Sequence, residues 1–339
     1  GAMLTHRNLM ANMLQCRALM GSSLHEASEI IVAPLPLYHI YAFTFHCMAM
    51  MLIGNHNLLV TNPRDLPGMI KDLAKYKFTG FVGLNTLFVA LCNNEEFRKL
   101  DFSGLKLTLS GGMALQMATA ERWKEVTGCS ICEGFGMTET SPVATVNPVD
   151  NIQLGTIGIP VPSTLCKVID DNGVEQPLGE RGELCVKGPQ VMKGYWQRQD
   201  ATDEILDADG WLKTGDIAVI QADGYLRIVD RKKDMILVSG FNVYPNELED
   251  VLATLPGVLQ CAAIGIPDER SGEAIKLFVV AKPGASLSKE QVMEHMRANV
   301  TGYKMPKAIE FRETLPTTNV GKILRRELRD EELKKIASK

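Results

Sequence analysis

The sequence predicts a mixed fold in three parts: an α/β portion, an antiparallel β portion and a small α+β domain. Up to residue 151, short apolar strands alternate with amphipathic helices, which is typical of a mostly parallel sheet with helices on its faces. Over 152–230, short strands are separated by Asp-Gly and Asn-Gly pairs, which indicate hairpins. Over 231–339 strands and helices mix again. A chain of 339 residues is also too long for one ordinary core.

The α/β portion, a partial large domain, begins with a helix for which Thr5 is the expected N-cap. The apolar run 30–33 predicts a buried strand because Pro34 ends it. The most apolar window, 40–59, predicts a buried helix, since its uninterrupted apolar run is far short of the ~20 residues that a membrane span needs. Further helices are predicted over 66–76, 86–92 and 115–126, and strands over 78–82, 105–109 and 130–133.

The antiparallel portion is predicted to contain no helix, and its hairpins fit a small barrel or sandwich. In the α+β domain, Pro245 suits the first turn of a helix. Ser288 and Gln291 form a capping box for a second helix. Strands are predicted over 261–266, 274–280 and 308–311.

Composition excludes several classes of protein. The hydrophobic fraction of 45% and charged fraction of 22% are typical of a soluble globular chain. A net charge of −4 argues against a protein that coats nucleic acid. Among eight cysteines only Cys129 and Cys132 are spaced as C-x-x-C, so a zinc site is not expected. Unpaired cysteines favour a reducing compartment, and we find no signal peptide, so we expect a cytoplasmic location.

Residues 133–139, EGFGMTE, form the first candidate site because they follow a predicted strand. Two glycines let the backbone approach a ligand closely, and Phe135 offers a flat face for a base. Thr138 supplies a hydroxyl, and Glu139 supplies a hard oxygen of the kind that Mg²⁺ prefers. Each residue alone is more often part of a plain turn, and their order after a strand makes the motif moderately specific.

Three other motifs could carry chemistry. Asp216, in KTGD, could accept hydrogen bonds from both hydroxyls of a ribose, although an isolated Thr-Gly-Asp is more often a turn. The run 230–234, DRKKD, would usually be a solvated loop, but it lies where the strand pattern changes, which favours a hinge. Lys322, in NVGKI, could reach a phosphate as a point charge, or be a plain surface lysine.

Together, in this order, the motifs resemble the adenylate-forming superfamily of acyl- and aryl-CoA ligases, peptide-synthetase adenylation domains and luciferases. The resemblance covers essentially the whole chain and is closest to bacterial long-chain fatty acid–CoA ligases. The stretch DGWLKTGDIAVIQADGYLRIVDRKKD resembles their signature with few departures. The segments LPLYH at 35–39, SGG at 110–112 and GEL at 182–184 match the family's order as well.

The resemblance implies a ligase that converts a fatty acid, ATP and CoA into acyl-CoA, AMP and diphosphate through an acyl-adenylate. The carboxylate needs no general base, because it is ionised at pH 7. Catalysis should therefore consist of positioning and charge stabilisation, with Mg²⁺ assisting.

The resemblance also implies roles for particular residues. The nucleotide would be bound by Gly111, Gly112, Glu133, Gly134, Phe135, Asp216 and Arg231. Catalysis at the phosphate would involve Thr138, Glu139 as the Mg²⁺ ligand, and Lys322. The hinge would lie at Lys233, and the CoA step would use Ser239 and Gly240, where a side chain could block a narrow thiol channel. The acyl pocket would involve Tyr38, His39, Phe43, Val82, Gly83 and Pro142.

One departure concerns the start of the sequence. In the family, the segment that corresponds to residues 1–6 directly follows a Ser/Thr/Gly-rich loop that binds phosphates. This sequence does not contain that loop, and no G-x-x-x-x-G-K-[ST] motif elsewhere in it replaces the loop. We therefore expect this chain alone to be inactive or weakly active. A fatty acyl-AMP ligase, an aryl or medium-chain acyl-CoA ligase and a non-catalytic nucleotide-binding fragment stay open as alternatives. Peripheral association with the inner membrane and a homodimer are both compatible with the sequence.

Overall fold

The computed structural model describes residues 1–21, 23–319 and 321–337. The chain forms two compact units, residues 1–228 and residues 229–339. Across the described ranges, we find no helix that combines the length and the apolar character required to cross a membrane.

A seven-stranded sheet organises the first unit. Its strands are β1 (Ile30–Ala33), β2 (His56–Leu59), β3 (Gly80–Gly83), β4 (Leu107–Ser110), β5 (Ile131–Gly136), β6 (Val143–Val146) and β7 (Ile159–Pro160). They lie in the order β2-β1-β3-β4-β5-β6-β7. The pairs from β2 through β5 are parallel, whereas β6 and β7 join antiparallel. The predicted mostly parallel α/β sheet is confirmed.

Helices connect the parallel strands, as predicted, and a further helix, α1 (His6–Met20), precedes the first strand. The connecting helices are α2 (Ile40–Ala42), α3 (Leu66–Leu73), α4 (Asn85–Cys92), α5 (Glu95–Arg98) and α6 (Met117–Thr127). Thr5 is the N-cap of α1: its Oγ1 accepts from the Asn8 N–H at 3.2 Å, while Asn8 Oδ1 accepts from the Thr5 N–H at 2.9 Å. The aromatic core beneath α4–α6 centres on Trp123, which contacts Phe81, Phe88 and Phe97.

The apolar window 40–59 is not one buried helix, so that expectation was wrong. After α2 the chain forms a π-helix over Phe43–Met50, turns at Gly54 with φ of +68°, and returns as strand β2. Residues 56–59 form a strand because they pair in register with all four residues of β1. Tertiary pairing outweighs the local preference here.

A four-stranded sheet follows in the sequence. Its strands are β8 (Leu165–Ile169), β9 (Arg181–Lys187), β10 (Leu212–Ile220) and β11 (Leu226–Arg231), in the order β11-β10-β9-β8. The antiparallel pairing of β8 with β9 and of β9 with β10 is as predicted, but no pairing among the described residues closes a barrel. The expectation of no helix was wrong, since α7 (Gln199–Ile205) lies between β9 and β10.

The second unit is an α+β fold. It contains β12 (Ile236–Val238), β13 (Phe241–Val243), β14 (Val258–Asp268), β15 (Gly272–Ala281) and β16 (Ala308–Phe311), together with α8 (Pro245–Ala253), α9 (Lys289–Asn299) and α10 (Arg325–Ala337). The sheet order is β13-β12-β15-β14, and β16 pairs parallel with β15. Pro245 occupies the first turn of α8 and Ser288 caps α9 with Gln291, as predicted.

Candidate active site

Three predicted site segments meet at one edge of the seven-stranded sheet. Gly83 at the end of β3 lies opposite Ser110 at the end of β4, and Ser110 lies opposite Glu133 of β5. Because these strands are adjacent and parallel, the loops that follow them emerge side by side at the carboxyl edge. Open α/β sheets bind ligands at that edge.

Gly111 and Gly134 approach each other beside a tyrosine that the sequence reasoning missed. A Cβ at Gly111 would lie 3.2 Å from Tyr41 Cε1 and 3.7 Å from the Gly134 carbonyl oxygen. Gly112 has φ of +84°, and a Cβ there would meet nothing within 4 Å. The left-handed backbone at 112 thus favours glycine. Tyr41 follows the 35–39 motif by two positions, which is the only signal that could have found it.

Glu133 and Phe135 support the loops that carry the glycines. The Glu133 carboxylate is buried, and its Oε1 accepts from the Leu115 N–H at 3.0 Å, which ties β5 to the segment leading into α6. Phe135 is half-buried and packs against the apolar cluster formed by residues such as Ala144 and Leu184. Ser110 Oγ is buried with no hydrogen-bond partner among the described residues, and a ligand or water is the usual partner of such an atom.

Thr138 and Glu139 lie in a 3₁₀ turn directly after β5. The turn is tightly held: the Met137 N–H donates to the Pro142 carbonyl at 3.0 Å, and a Cβ at Gly136 would lie 2.1 Å from that carbonyl oxygen. The Thr138 side chain is exposed, and Glu139 is half-buried.

The Glu139 carboxylate has a partner that sequence spacing could not reveal. Tyr195 Oη donates to Glu139 Oε1 at 2.6 Å. Burial, followed by this bond and the nearby negative charge, raises the pKa of Tyr195 above its usual range. Tyr195 therefore stays protonated and remains a donor.

Asp216 occupies an irregular point of β10. The register of β10 against β9 shifts between Lys213 and Ile217, and Gly215 has φ of +74°. The Gly215 N–H donates to Glu183 Oε1 at 3.2 Å, and the Asp216 N–H donates to Thr214 Oγ1 at 3.1 Å. This bulge changes the direction of the strand at the position of Asp216, as bulges near functional sites commonly do.

In the second unit, the residues predicted for the hinge form a short 3₁₀ turn, Lys232–Asp234, after Arg231. Lys233 is exposed, whereas Asp234 is buried and pairs with Arg329 at 3.3 Å.

Ser239 and Gly240 form the tip of the β12–β13 hairpin, since Val238 pairs with Phe241. Their φ values are +51° and +83°, which is the backbone of a type I′ turn. A Cβ at Gly240 would meet nothing within 4 Å. The conformation of the turn is therefore the reason that the second unit favours glycine at position 240. The role of Gly240 in a thiol channel stays a prediction.

Lys322 lies in a compact loop just before α10. Its N–H donates to Thr318 Oγ1 at 3.1 Å, and its carbonyl accepts from the Thr318 N–H at 2.8 Å. Val320, within the same motif, lies outside the described residues. The loop holds the backbone of Lys322 in place.

The residues predicted for the acyl pocket differ in their environments. Val82, Gly83 and Pro142 are buried, whereas Tyr38 is 76% exposed and Phe43 is 38% exposed. His39 caps α2, since its Nδ1 accepts from the Tyr41 N–H at 3.3 Å. Their assignment to the acyl pocket stays a prediction.

Glu139 is the residue predicted to hold a magnesium ion together with the phosphates of a nucleotide. The described part of the chain contains no group of three or more His, Cys, Asp or Glu side chains that could hold a metal. Mg²⁺ is commonly held by one or two carboxylates together with substrate phosphates and water. Glu139, next to Thr138 in the same turn, could supply one such carboxylate.

Two models of known protein families match this chain. Residues 1–196 match the model of the AMP-binding enzymes, and residues 247–322 match the C-terminal domain of the same enzymes. The chain belongs to the AMP-binding enzyme family. Both matches include predicted site residues: Glu139 falls in the first and Lys322 in the second.

Several members of the AMP-binding family are similar over nearly the whole chain. The long-chain-fatty-acid–CoA ligase of Escherichia coli is 58% identical over 340 aligned residues, which cover 100% of this chain and 60% of the relative. The ATP-bound structure of MatB from Rhodopseudomonas palustris has a TM-score of 0.88 at 30% identity, covering 98% of this chain and 65% of MatB. The anthranilate CoA ligase AuaEII with anthranoyl-AMP has a TM-score of 0.89 at 29% identity, covering 97% and 64%. The chain thus spans about 60% of the length of the curated relative.

Proposed function

We propose that the protein is a long-chain fatty acid–CoA ligase that works through an acyl-adenylate. The observation that carries this proposal is the row formed by Gly83, Ser110 and Glu133, which gathers three predicted site segments at the carboxyl edge of a parallel sheet. The 58% identity to a long-chain-fatty-acid–CoA ligase supports the same chemistry and the same class of acid.

In the adenylation step, the chain's own residues bind and orient the nucleotide. Gly111, Gly112 and Gly134 let the backbone approach the base, beside Tyr41 and Phe135. Asp216, set on its bulge, would accept hydrogen bonds from the ribose, with Arg231 assisting.

Charge stabilisation would come from the phosphate-facing groups. Glu139 would hold Mg²⁺, which would neutralise phosphate charge, and Thr138 lies in the same turn. Lys322 would stabilise the charge that develops at the α-phosphate. These groups act by position, because the attacking carboxylate is already ionised.

For the thioester step, we propose that the hairpin tip at Ser239 and Gly240 serves CoA and that residues 230–234 act as the hinge. Lys322 and Gly240 belong to the same compact unit. A single unit that carries both loops can serve the two half-reactions in turn. Hinges of this kind lie at element ends, as the 3₁₀ turn at Lys232–Asp234 does.

We propose a cytoplasmic location, with peripheral association at the inner membrane and a homodimeric state. Long-chain fatty acids partition into bilayers, so an enzyme that consumes them gains from working at a membrane surface. Co-sedimentation with lipid vesicles tests the membrane association, and sedimentation equilibrium tests the homodimeric state.

The experiment that tests the function is a chain-length series with the whole protein, in which CoA consumption is measured with saturated acids of increasing length. We expect consumption to require ATP and to be fastest with long-chain acids. Activity confined to aryl or short-chain acids would contradict the assignment. Adenylate formation without CoA consumption would indicate a fatty acyl-AMP ligase instead.

A further inference from the structure

The Tyr195–Glu139 contact joins two segments that are 56 residues apart. The segment of Tyr195 is fastened to the segment of Glu139 at further points: the Met192 N–H donates to the Glu139 carbonyl at 2.8 Å, and Ser141 Oγ donates to the Gln190 carbonyl at 2.8 Å. These bonds hold the two backbones together independently of the contact between the Tyr195 and Glu139 side chains.

Tyr195 itself is anchored on its other side. Its N–H donates to Thr202 Oγ1 at 2.9 Å, and Ala2 forms an antiparallel bridge with Tyr195. The phenol ring is half-buried. The first two contacts fix the backbone of Tyr195, and from that fixed backbone the half-buried ring extends its hydroxyl to Glu139.

We propose that Tyr195 is a positioning residue for Glu139: by donating to Oε1, it fixes the carboxylate plane and leaves Oε2 to face the cation bound with the nucleotide. The inference rests on the proposed function, in which Glu139 is the magnesium ligand. Partners that orient a metal ligand commonly change metal affinity about 10–100-fold when removed. Y195F would remove the hydroxyl that orients the Glu139 carboxylate and leave the carboxylate itself in place.

The chain offers a matched control for this substitution. Tyr225 Oη donates to the Asn151 carbonyl at 2.6 Å, the same length as the Tyr195 bond. Both tyrosines lie in the first unit. Y195F and Y225F therefore each remove one hydroxyl and one short hydrogen bond, but only Y195F changes the surroundings of Glu139.

The test measures Mn²⁺ binding to the whole protein with α,β-methylene-ATP by electron paramagnetic resonance. We expect Y195F to weaken Mn²⁺ binding about 10–100-fold, Y225F to leave it unchanged, and both variants to bind AMP without metal as the wild type does. In the background of E139Q, Y195F should produce no further loss.

Wild-type Mn²⁺ affinity in Y195F, or an equal loss in Y225F, overturns the positioning role. If E139Q keeps wild-type affinity, the proposed metal role of Glu139 fails, and the positioning role fails with it. If E139Q loses affinity while Y195F does not, only the positioning role is overturned and the proposed function stands.

Discussion

Arg325 and Glu249 form a bidentate ion pair inside the second unit. The distance from Arg325 Nε to Glu249 Oε1 is 2.8 Å, and the distance from Arg325 Nη2 to Glu249 Oε2 is 2.6 Å. The same guanidinium lies 3.5 Å from Asp230 and also donates to Asn246. Arg325 begins α10, three residues after Lys322. One buried cation thus links the start of α10 with α8 and with the segment proposed as the hinge.

Removal of this cation should strongly destabilise the second unit. The Arg325 and Glu249 side chains are only 14% and 13% exposed, and loss of one member of a buried pair commonly costs about 3–5 kcal/mol. We expect R325A to show this loss in urea unfolding, together with faster hydrogen exchange in α8 and α10. The control is R326A, because Arg326 is 87% exposed and lies 3.7 Å from Asp330. Equal stability of the two variants would contradict the structural importance of the cluster.

The carboxyl group of Asp230 should titrate at a higher pH than an ordinary aspartate. Burial raises its pKa to about 6, although Arg325 and the N–H groups of Asn246 and Arg231 oppose the shift. The folded-state pKa of Asp230 exceeds the ordinary aspartate pKa of about 3.9. At pH values between these two pKa values, the folded state therefore holds a proton that the unfolded state has lost. The contribution of Asp230 to stability is therefore most favourable at low pH and falls as the pH rises from about 4 to about 6.

Carboxyl ¹³C resonances measured against pH check this directly. We expect one aspartate resonance to titrate near pH 6 in the wild type and to be missing in D230N. An Asp230 resonance that titrates near the ordinary aspartate value would refute the prediction.

Asn12 should be essential for the order of the segment after the Glu139 turn. It is fully buried, accepts from the Val143 N–H at 2.9 Å and donates to the Val143 carbonyl at 2.7 Å. N12A leaves both backbone groups unpaired, at about 1–3 kcal/mol for each buried group. Thermal unfolding should show this loss for N12A and little change for N93A, since Asn93 is exposed and makes one bond to the Val89 carbonyl. A melting temperature of N12A equal to that of N93A would argue against the claim.

Elements defined by local chemistry could be predicted from the sequence. The capping residues Thr5 and Ser288, the position of Pro245 and the strand 308–311 were all as expected. The caps and Pro245 depend on side chains that act within a few residues of themselves, whereas the strand was indicated by its local apolar pattern and is completed by pairing with β15. The helix Gln199–Ile205 was missed because its seven residues are mostly polar and show no apolar period.

The glycine loops of the candidate site could be located from the sequence, but the contacts among its residues could not. Strands followed by glycines predicted loops at residues 111–112 and 133–139, and the register of β3, β4 and β5 places these loops side by side. The approach of Tyr41 to Gly111 and the bond from Tyr195 to Glu139 depend on how distant segments pack. No spacing in the sequence encodes such contacts.

A comparison of the two half-reactions in wild type and K322A, using the whole protein, tests whether the enzyme works through an acyl-adenylate that Lys322 helps to form. We expect oleate-dependent ATP–pyrophosphate exchange in the wild type and a loss in K322A equivalent to about 2.7–4 kcal/mol, by analogy with an oxyanion donor. Thioester formation from supplied oleoyl-adenylate and CoA should be largely spared. Wild-type protein without fatty acid-dependent exchange, or K322A equally impaired in both half-reactions, would contradict the account.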